Sequence, residues 1–345
     1  MAGSVSTAVR DWGREVLAGW NRFWFAAADP ATLGLIRILG GAMMLYTHAV
    51  WSIGLTDFVG SHGLLPAESV KLLQQDTWAF SYLWWIEGSP VLLWTAHIAA
   101  LIVFAMLTVG LFTRVTSILA LIITLSYVQR LPGALFGLDQ VNTMLALYLA
   151  VGPSGDAFSL DRWLRGRRVG QTLPVRQSWM ANLATRLIQV HMCIVYLFAG
   201  MAKLVGMAWW DGTALWMAFG NLEYQSLDMT WMAGFPLLIN LMTHVTVAWE
   251  LSYWALVWPR LSRPIVLALA VPLHMGIAIC LGMITFGLAM LIGNLAFVPP
   301  WLVRAAVDRI LAIFGRGRGG ELAASGGEKL KKPSRPQVRS SGSTR

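Results

Sequence analysis

Apolar residues run along this chain in blocks too long for the core of a soluble domain. From about Thr32 to Val298 they recur as near-chargeless stretches, separated by short polar segments rich in Gly, Pro, Asp and Arg. A membrane-spanning helix needs roughly 20 consecutive apolar residues. On that measure the pattern predicts eight crossings, at about Thr32–Ile53, Pro90–Leu111, Val115–Leu131, Gln140–Val151, Trp179–Val205, Pro236–Trp258, Pro264–Leu281 and Ile284–Val298. The last two can also be read as one segment broken around Gly282 and Gly287. The expected fold is an all-α integral membrane protein, a polytopic bundle of about eight transmembrane helices with re-entrant or amphipathic segments in its outer loops. Residues 1–29 form an N-terminal segment, 30–302 the transmembrane domain, and 303–345 a basic tail whose Gly, Ser, Pro and Lys content beyond Arg316 predicts disorder.

Composition agrees: 57% of residues are hydrophobic, 12% are charged, and the mean hydropathy is +0.60. Charge then orients the bundle. With the N-terminus inside, the predicted inner loops carry Arg114, then Arg162, Arg165, Arg167, Arg168 and Arg176, then Arg260 and Arg263, then the tail. The predicted outer loops carry mainly Asp57, Glu68, Asp76, Glu87, Asp211, Glu223 and Asp228, with Lys71 and Arg130 as exceptions. This positive-inside pattern predicts that both termini are cytoplasmic, in the inner (plasma) membrane of a bacterium. From Val303 onward ten basic residues face three acidic ones, which reads as a lipid-facing tail rather than a nucleic-acid site. No small-residue cleavage site follows a short apolar stretch, so the first crossing is expected to serve as its own insertion signal.

Two outer loops are long. The first, about Gly54 to Ser89, contains an amphipathic stretch from Glu68 through Trp85; the second, about Gly206 to Phe235, carries Trp209, Trp210, Trp216 and Trp231. Tryptophans belong at membrane–water boundaries, but such loops can also fold over the bundle and roof a pocket suited to a flat lipophilic ring.

Polar residues at membrane depth narrow the search for chemistry. Lys203 ends a long apolar run, whereas the other four lysines lie in a polar loop (Lys71) or in the tail (Lys329, Lys331, Lys332). A lysine in a poorly solvated site can become a neutral amine base, as arginine cannot; the alternative is an anchor snorkelling to the outer interface. Arg37 fits an anchor at the inner interface. Arg186 shares a helix face with Gln189, its i+3 neighbour. His191, His244 and His274 lie in the fifth, sixth and seventh crossings, and Glu250 in the sixth is expected to face an arginine or histidine. The six histidines show no ligand spacing, so no metal is expected. There is no P-loop, G-x-G-x-x-G, G-x-S-x-G or C-x-x-C, so nucleotide binding and serine-hydrolase chemistry have no support.

The stretch Tyr196-Leu-Phe-Ala-Gly200-Met-Ala-Lys203-Leu, followed by Trp209-Trp210-Asp211-Gly212, resembles the central signature of the HTTM (horizontally transferred transmembrane) family. Arg37-Ile-Leu-Gly40-Gly, Phe136-Gly-Leu-Asp139-Gln140, Phe158-Ser-Leu-Asp161, and the run from His274 through Gly282-Met-Ile-Thr-Phe286 to Asn294-Leu-Ala-Phe297-Val-Pro-Pro300 follow in the family's order. Vitamin K-dependent gamma-carboxylase is the best-known relative. The resemblance implies a membrane core that binds a reduced quinone, vitamin K hydroquinone or a menaquinol-like molecule. Lys203 would be the base that deprotonates it, His274 would position it, and Trp209, Trp210, Asp211, Asp139 and Gln140 would shape the site. In the carboxylase the quinol anion reacts with oxygen to an epoxide, and the strong base formed on the way removes a γ-proton from glutamate, to which carbon dioxide adds. This chain has Ala202 where the carboxylase has a further lysine, and the Asp139/Gln140 region where it has a histidine. The part that grips a propeptide has no counterpart, so γ-carboxylation of a propeptide-bearing client is not expected. Membrane lipids are the other expected partners; no protein partner or client can be read. A non-catalytic lipid- or partner-binding module, with Lys203 as anchor, is the alternative, and a transporter using Glu250, His244 and His191 as a proton path is the third reading.

Overall fold

A computed structural model describes residues 2–319; the expected disorder of the far tail, 320–345, lies outside the described residues. Among these residues the chain is helical, with no strand beyond an isolated bridge between Ala28 and Ser178. It divides into two units, 1–303 and 304–345, and the described part of the second is helical.

All eight segments predicted from the apolar pattern are helices. In chain order they are α2 (Ala31–Trp51), α6 (Pro90–Val109), α7 (Thr113–Arg130), α8 (Gly137–Val151), α10 (Trp179–Lys203), α13 (Pro236–Leu256), α14 (Arg263–Cys280) and α15 (Ile284–Asn294). Shorter or peripheral helices are α1 (Ala2–Phe25), α3 (Leu55–Val59), α4 (Ala67–Leu73), α5 (Leu83–Ile86), α9 (Leu160–Val169), α11 (Met207–Trp210), α12 (Ala214–Phe219) and α16 (Pro300–Gly319). Four segments are long and apolar enough to cross a membrane: Ala31–Val59, Pro90–Val109, Trp179–Lys203 and Arg263–Cys280. A fifth is added if Ile284–Phe297 and Pro300–Ile313 are counted as one broken span. The other predicted crossings are helical but too short or too polar for that test. The protein is therefore a helical membrane protein with four to five such spans.

Local sequence explains where the helices begin. Ser178 Oγ accepts the Met180 amide at 3.1 Å ahead of α10, and Pro90 and Pro236 occupy first turns where no amide partner is needed. Helix α8 starts earlier than the apolar run because Asp139, in its first turn, accepts the Phe136 amide at 3.0 Å. The first long loop does not form one amphipathic helix: α4 stops at Leu73, and the chain turns before α5. The second long loop folds back onto α13 and α14. Phe219 and Met232 pack with Ile239 of α13, and Ser226 is fastened to the end of α14 through Cys280 O (3.2 Å) and Ile279 O (2.6 Å).

One apolar core, from Leu33 and Met44 on α2 to Tyr253 on α13 and Phe297, joins the long helices. Two close approaches set its geometry near the polar residues. A Cβ on Gly200 of α10 would stand 3.0 Å from the Leu251 side chain and 3.1 Å from its amide nitrogen on α13. A Cβ on Gly287 of α15 would collide with the His274 carbonyl of α14. Glycine lets these backbones meet.

Candidate functional site

Lys203 ends α10, and the close packing at Gly200, one turn earlier, brings α13 alongside it. The lysine meets Glu250: Nζ lies 2.9 Å from Oε1, to which it donates, and 2.7 Å from Oε2. The sequence pointed to an arginine or histidine as the partner of Glu250; the lysine 47 positions earlier fills that place. Trp209, at the start of the second long loop, sets its ring 5.2 Å from Nζ. Both side chains are mostly but not fully covered, Lys203 at 21% exposure and Glu250 at 11%, so the pair is reachable from that loop.

The loop is held over the pair by hydrogen bonds. Trp210 donates from Nε1 to Leu204 O at 2.8 Å, and its own carbonyl lies 3.1 Å from His244 Nε2. Asn240 donates to Asp211 O at 3.0 Å. The Asp211 carboxylate accepts the Thr213 hydroxyl at 2.8 Å, a local turn. Trp209 thus faces the lysine directly, whereas Trp210, Asp211 and His244 bond within and beneath the loop.

Deeper in the bundle an uncharged chain crosses four helices. Tyr253 on α13 donates to Asn294 Oδ1 (2.7 Å), Asn294 on α15 donates from Nδ2 to Tyr196 Oη (2.7 Å), and Tyr196 on α10 contacts His274 Nε2 on α14 at 2.6 Å. Asn294 Nδ2 also donates to Met290 O at 2.9 Å, which fixes the amide orientation, since a flipped amide would set two oxygens face to face. Tyr196 oxygen therefore accepts from Asn294, and its proton goes to His274 Nε2. The histidine proton is then on Nδ1, which is buried and has no acceptor among the described residues. Trp249 (4.8 Å) and Tyr253 (4.2 Å) pack on the Tyr196 ring, and Phe286 stands 6.4 Å from the His274 ring. Trp249, which precedes Glu250 on α13, places its ring 6.3 Å from that of His274. Lysine, glutamate, histidine and an aromatic wall thus come together where α10, α13, α14 and α15 meet.

The remaining predicted residues are placed elsewhere. Arg37 does not snorkel: it is fully buried and donates to Ser154 O (3.2 Å) and Phe158 O (2.6 Å), because the loop after α8 brings carbonyls over it. Arg186 donates to Gln189 Oε1 at 2.9 Å, as the i+3 spacing predicts, stacks on Phe23, and so fixes Gln189, which donates to Ala296 O. His191 contacts the Tyr148 hydroxyl at 3.0 Å. Gln140 is exposed. Asp139 is turned away from the lysine: beyond capping α8, it borders a cavity of about 10 Å³ shared with Thr47, His48, Thr124 and Asn142.

That cavity marks a second buried polar cluster, which the sequence reading passed over. His97 contacts the Tyr127 hydroxyl through Nδ1 (2.6 Å) and Ser52 Oγ through Nε2 (2.8 Å). His48 donates from Nδ1 to Met44 O at 2.9 Å and stacks on Phe104. Its Nε2, Asn142 Oδ1 and Thr124 Oγ1 are buried without a partner among the described residues. Histidines at 48 and 97 inside apolar runs were the available signal. Also unforeseen was Arg130, which ends α7 and bonds Glu87 Oε2 (2.8 Å), Leu65 O (2.8 Å) and Val59 O (2.9 Å), pinning the first long loop. No group of three His, Cys, Asp or Glu side chains suited to a metal occurs among the described residues.

Outside the bundle, Asp161 stands in the first turn of α9 and accepts three bonds at the start of α7: the Phe112 amide (2.8 Å), the Thr113 amide (2.7 Å) and the Thr113 hydroxyl (2.7 Å). Burial alone would raise its pKa; these bonds, with Arg165 nearby, outweigh it and hold the carboxyl below the ordinary carboxylate range.

An all-helical membrane bundle with a lysine–glutamate pair beneath a tryptophan-lined loop is the class that fold and site define. The profile of the HTTM domain matches residues 25–301, and the chain belongs to that family. No curated protein and no solved structure matches the chain.

Proposed function

We propose that this protein is a quinol-handling membrane enzyme: it binds a reduced lipophilic quinone of the vitamin K or menaquinol kind beside His274 and deprotonates it with the Lys203–Glu250 pair. The observation that carries this reading is the buried His274 Nδ1, without a partner among the described residues, beside Trp249 and Phe286, with Trp249 preceding the Glu250 that pairs with Lys203. A ring oxygen of the quinol accepts from Nδ1–H, and its flat apolar body packs on Trp249 and Phe286. The lysine and glutamate share one proton: passing it to the carboxylate leaves a neutral amine and a neutral acid. The amine then takes the quinol proton. Oxygen, as co-reactant, oxidises the quinol to its epoxide, one oxygen atom entering the ring and the other leaving as water with the two quinol hydrogens. The bundle carries about eight transmembrane helices, with both termini cytoplasmic and the site toward the outer leaflet, as the arginine pattern supports.

Oxygen uptake by the full-length protein in nanodiscs, supplied with menaquinol or vitamin K hydroquinone, tests this. Quinol-dependent uptake is expected in the wild type and lost by about 10²–10⁴-fold in Lys203→Ala and Lys203→Arg, since arginine cannot act as a base. Uptake unchanged by Lys203→Arg would overturn the base assignment. Quinol binding without uptake, tolerant of that substitution, would instead identify a binding module.

A further inference from the structure

A groove on the arginine-rich side of the bundle carries features the quinol site does not use. Its volume is about 610 Å³, within the range of small-molecule sites, and it lies between the start of α7, the loop after α8 and the helix α9. Four arginines line it: Arg114, Arg165, Arg168 and Arg176. Two are engaged. Arg114 donates to Ala150 O at 2.7 Å, and Arg165 pairs with Asp156 at 3.6 Å. Arg168 and Arg176 are exposed and have no partner among the described residues. Two groove acids, Asp156 and Asp161, face these four guanidinium groups, and Asp161 is also held by the amides that open α7, so the groove keeps an excess of positive charge.

The groove is built rather than incidental. Arg37, buried beneath, ties down the loop carbonyls of Ser154 and Phe158. Arg162 donates to Leu173 O at 2.5 Å and Pro174 O at 3.0 Å, drawing the chain that leads to Arg176 back over α9. Part of the remaining wall is apolar. Phe112 and Val115, at 64% and 58% exposure, stand where α7 begins, so the cationic cleft runs directly into a hydrophobic surface.

We propose that this groove is a binding site for an anionic phospholipid, the phosphate held by Arg168 and Arg176 and the first part of an acyl chain lying on Phe112 and Val115. Charge complementarity requires an anion, and the adjoining apolar wall selects an amphiphile over a free phosphate or an acidic peptide. Guanidinium groups bind phosphate oxygens through paired N–H donors, and basic clefts at the headgroup level of helical membrane proteins suit such lipids.

Native mass spectrometry of the full-length protein, equilibrated with equal phosphatidylglycerol and phosphatidylcholine of matched chains, tests the proposal. The wild type is expected to retain phosphatidylglycerol preferentially, and Arg168→Gln/Arg176→Gln is expected to lower that preference by about fivefold or more, given the known strength of basic residues at anionic membrane surfaces. Arg10→Gln/Arg22→Gln, which removes the same charge outside the groove, should leave it unchanged. An equal loss in both double variants, or none in the first, overturns the site. Inorganic phosphate that displaces the lipid at millimolar concentration overturns the assignment to a phospholipid.

Discussion

Arg130 and Lys203 each meet a glutamate inside the bundle, yet their surroundings make them opposites. Arg130 is fully buried, and Glu87 is one of several partners: the guanidinium also reaches the carbonyls of Leu65, Val59 and Gly60. Its planar fork of donors is used to hold a loop against the bundle, and its charge never changes. Lys203 has one carboxylate, a tryptophan ring and partial access from a loop. An amine so placed can exchange its proton with Glu250, which a guanidinium cannot do. The comparison separates a structural ion pair from the one proposed to react by partner number, exposure and the chemistry of the cation, rather than by burial alone.

Exchanging the two cations gives the largest effects. Arg130→Lys keeps the charge but cannot reach all of its acceptors, and Glu87→Ala leaves the arginine without its counter-ion; the second is expected to destabilise the fold by about 3–5 kcal/mol, read from thermal unfolding in detergent. Lys203→Arg is expected to do the reverse: a melting temperature near that of the wild type, with quinol-dependent oxygen uptake abolished. If Lys203→Arg instead unfolds the protein as Glu87→Ala does, the contrast fails. Tyr196→Phe comes next. It strips His274 Nε2 and Asn294 of a partner in a buried site, at about 1–3 kcal/mol, and frees the histidine tautomer, so nitrogen chemical shifts of His274 should report both ring forms. Gly200→Ala should cost about 1–3 kcal/mol through overpacking against Leu251 and lengthen the Lys203–Glu250 contact, lowering activity while Glu87 and Arg130 stay paired.

The smallest effect is electrostatic. Asp161 is held below the ordinary carboxylate value of about 3.8. The stability it contributes is therefore complete above that value and is lost as pH falls through its lower folded-state pKa. Acid titration monitored by hydrogen exchange at Phe112 and Thr113 should show protection failing only below about pH 4, and Asp161→Asn should remove that pH dependence. An unaltered pH dependence of protection in the variant would sink the assignment.

Much of this was legible in the chain. Apolar runs located the eight predicted helices to within a few residues, since burial in lipid or core selects the same side chains along each segment, whereas the more polar α1 and α16 were not read from them. Lys203 was legible because an ionisable residue at the end of such a run needs a reason. Its pairing with Glu250 was not, because 47 residues separate the two and no spacing rule joins different helices. Arg37 looked like an interface anchor from its position near a helix end; only the fold shows the loop carbonyls of Ser154 and Phe158 arriving over it. Asp139 lies in a stretch matching the family's order, yet helix capping turns it toward His48 and Asn142. Sequence reports what a residue must avoid, whereas its partner is a property of packing.

The chain from Tyr253 to His274 has one further property. A hydroxyl can receive a proton on one side and release another on the other, but a carboxamide cannot do so without passing through a costly imidic form. Asn294 sits in the middle of that chain, receiving through oxygen and giving through nitrogen. It is thus an insulator, conducting orientation without conducting protons. In the proposed reaction, protons released beside His274 would find no route through Asn294 to Tyr253, so the acid–base steps would stay on the Lys203 side.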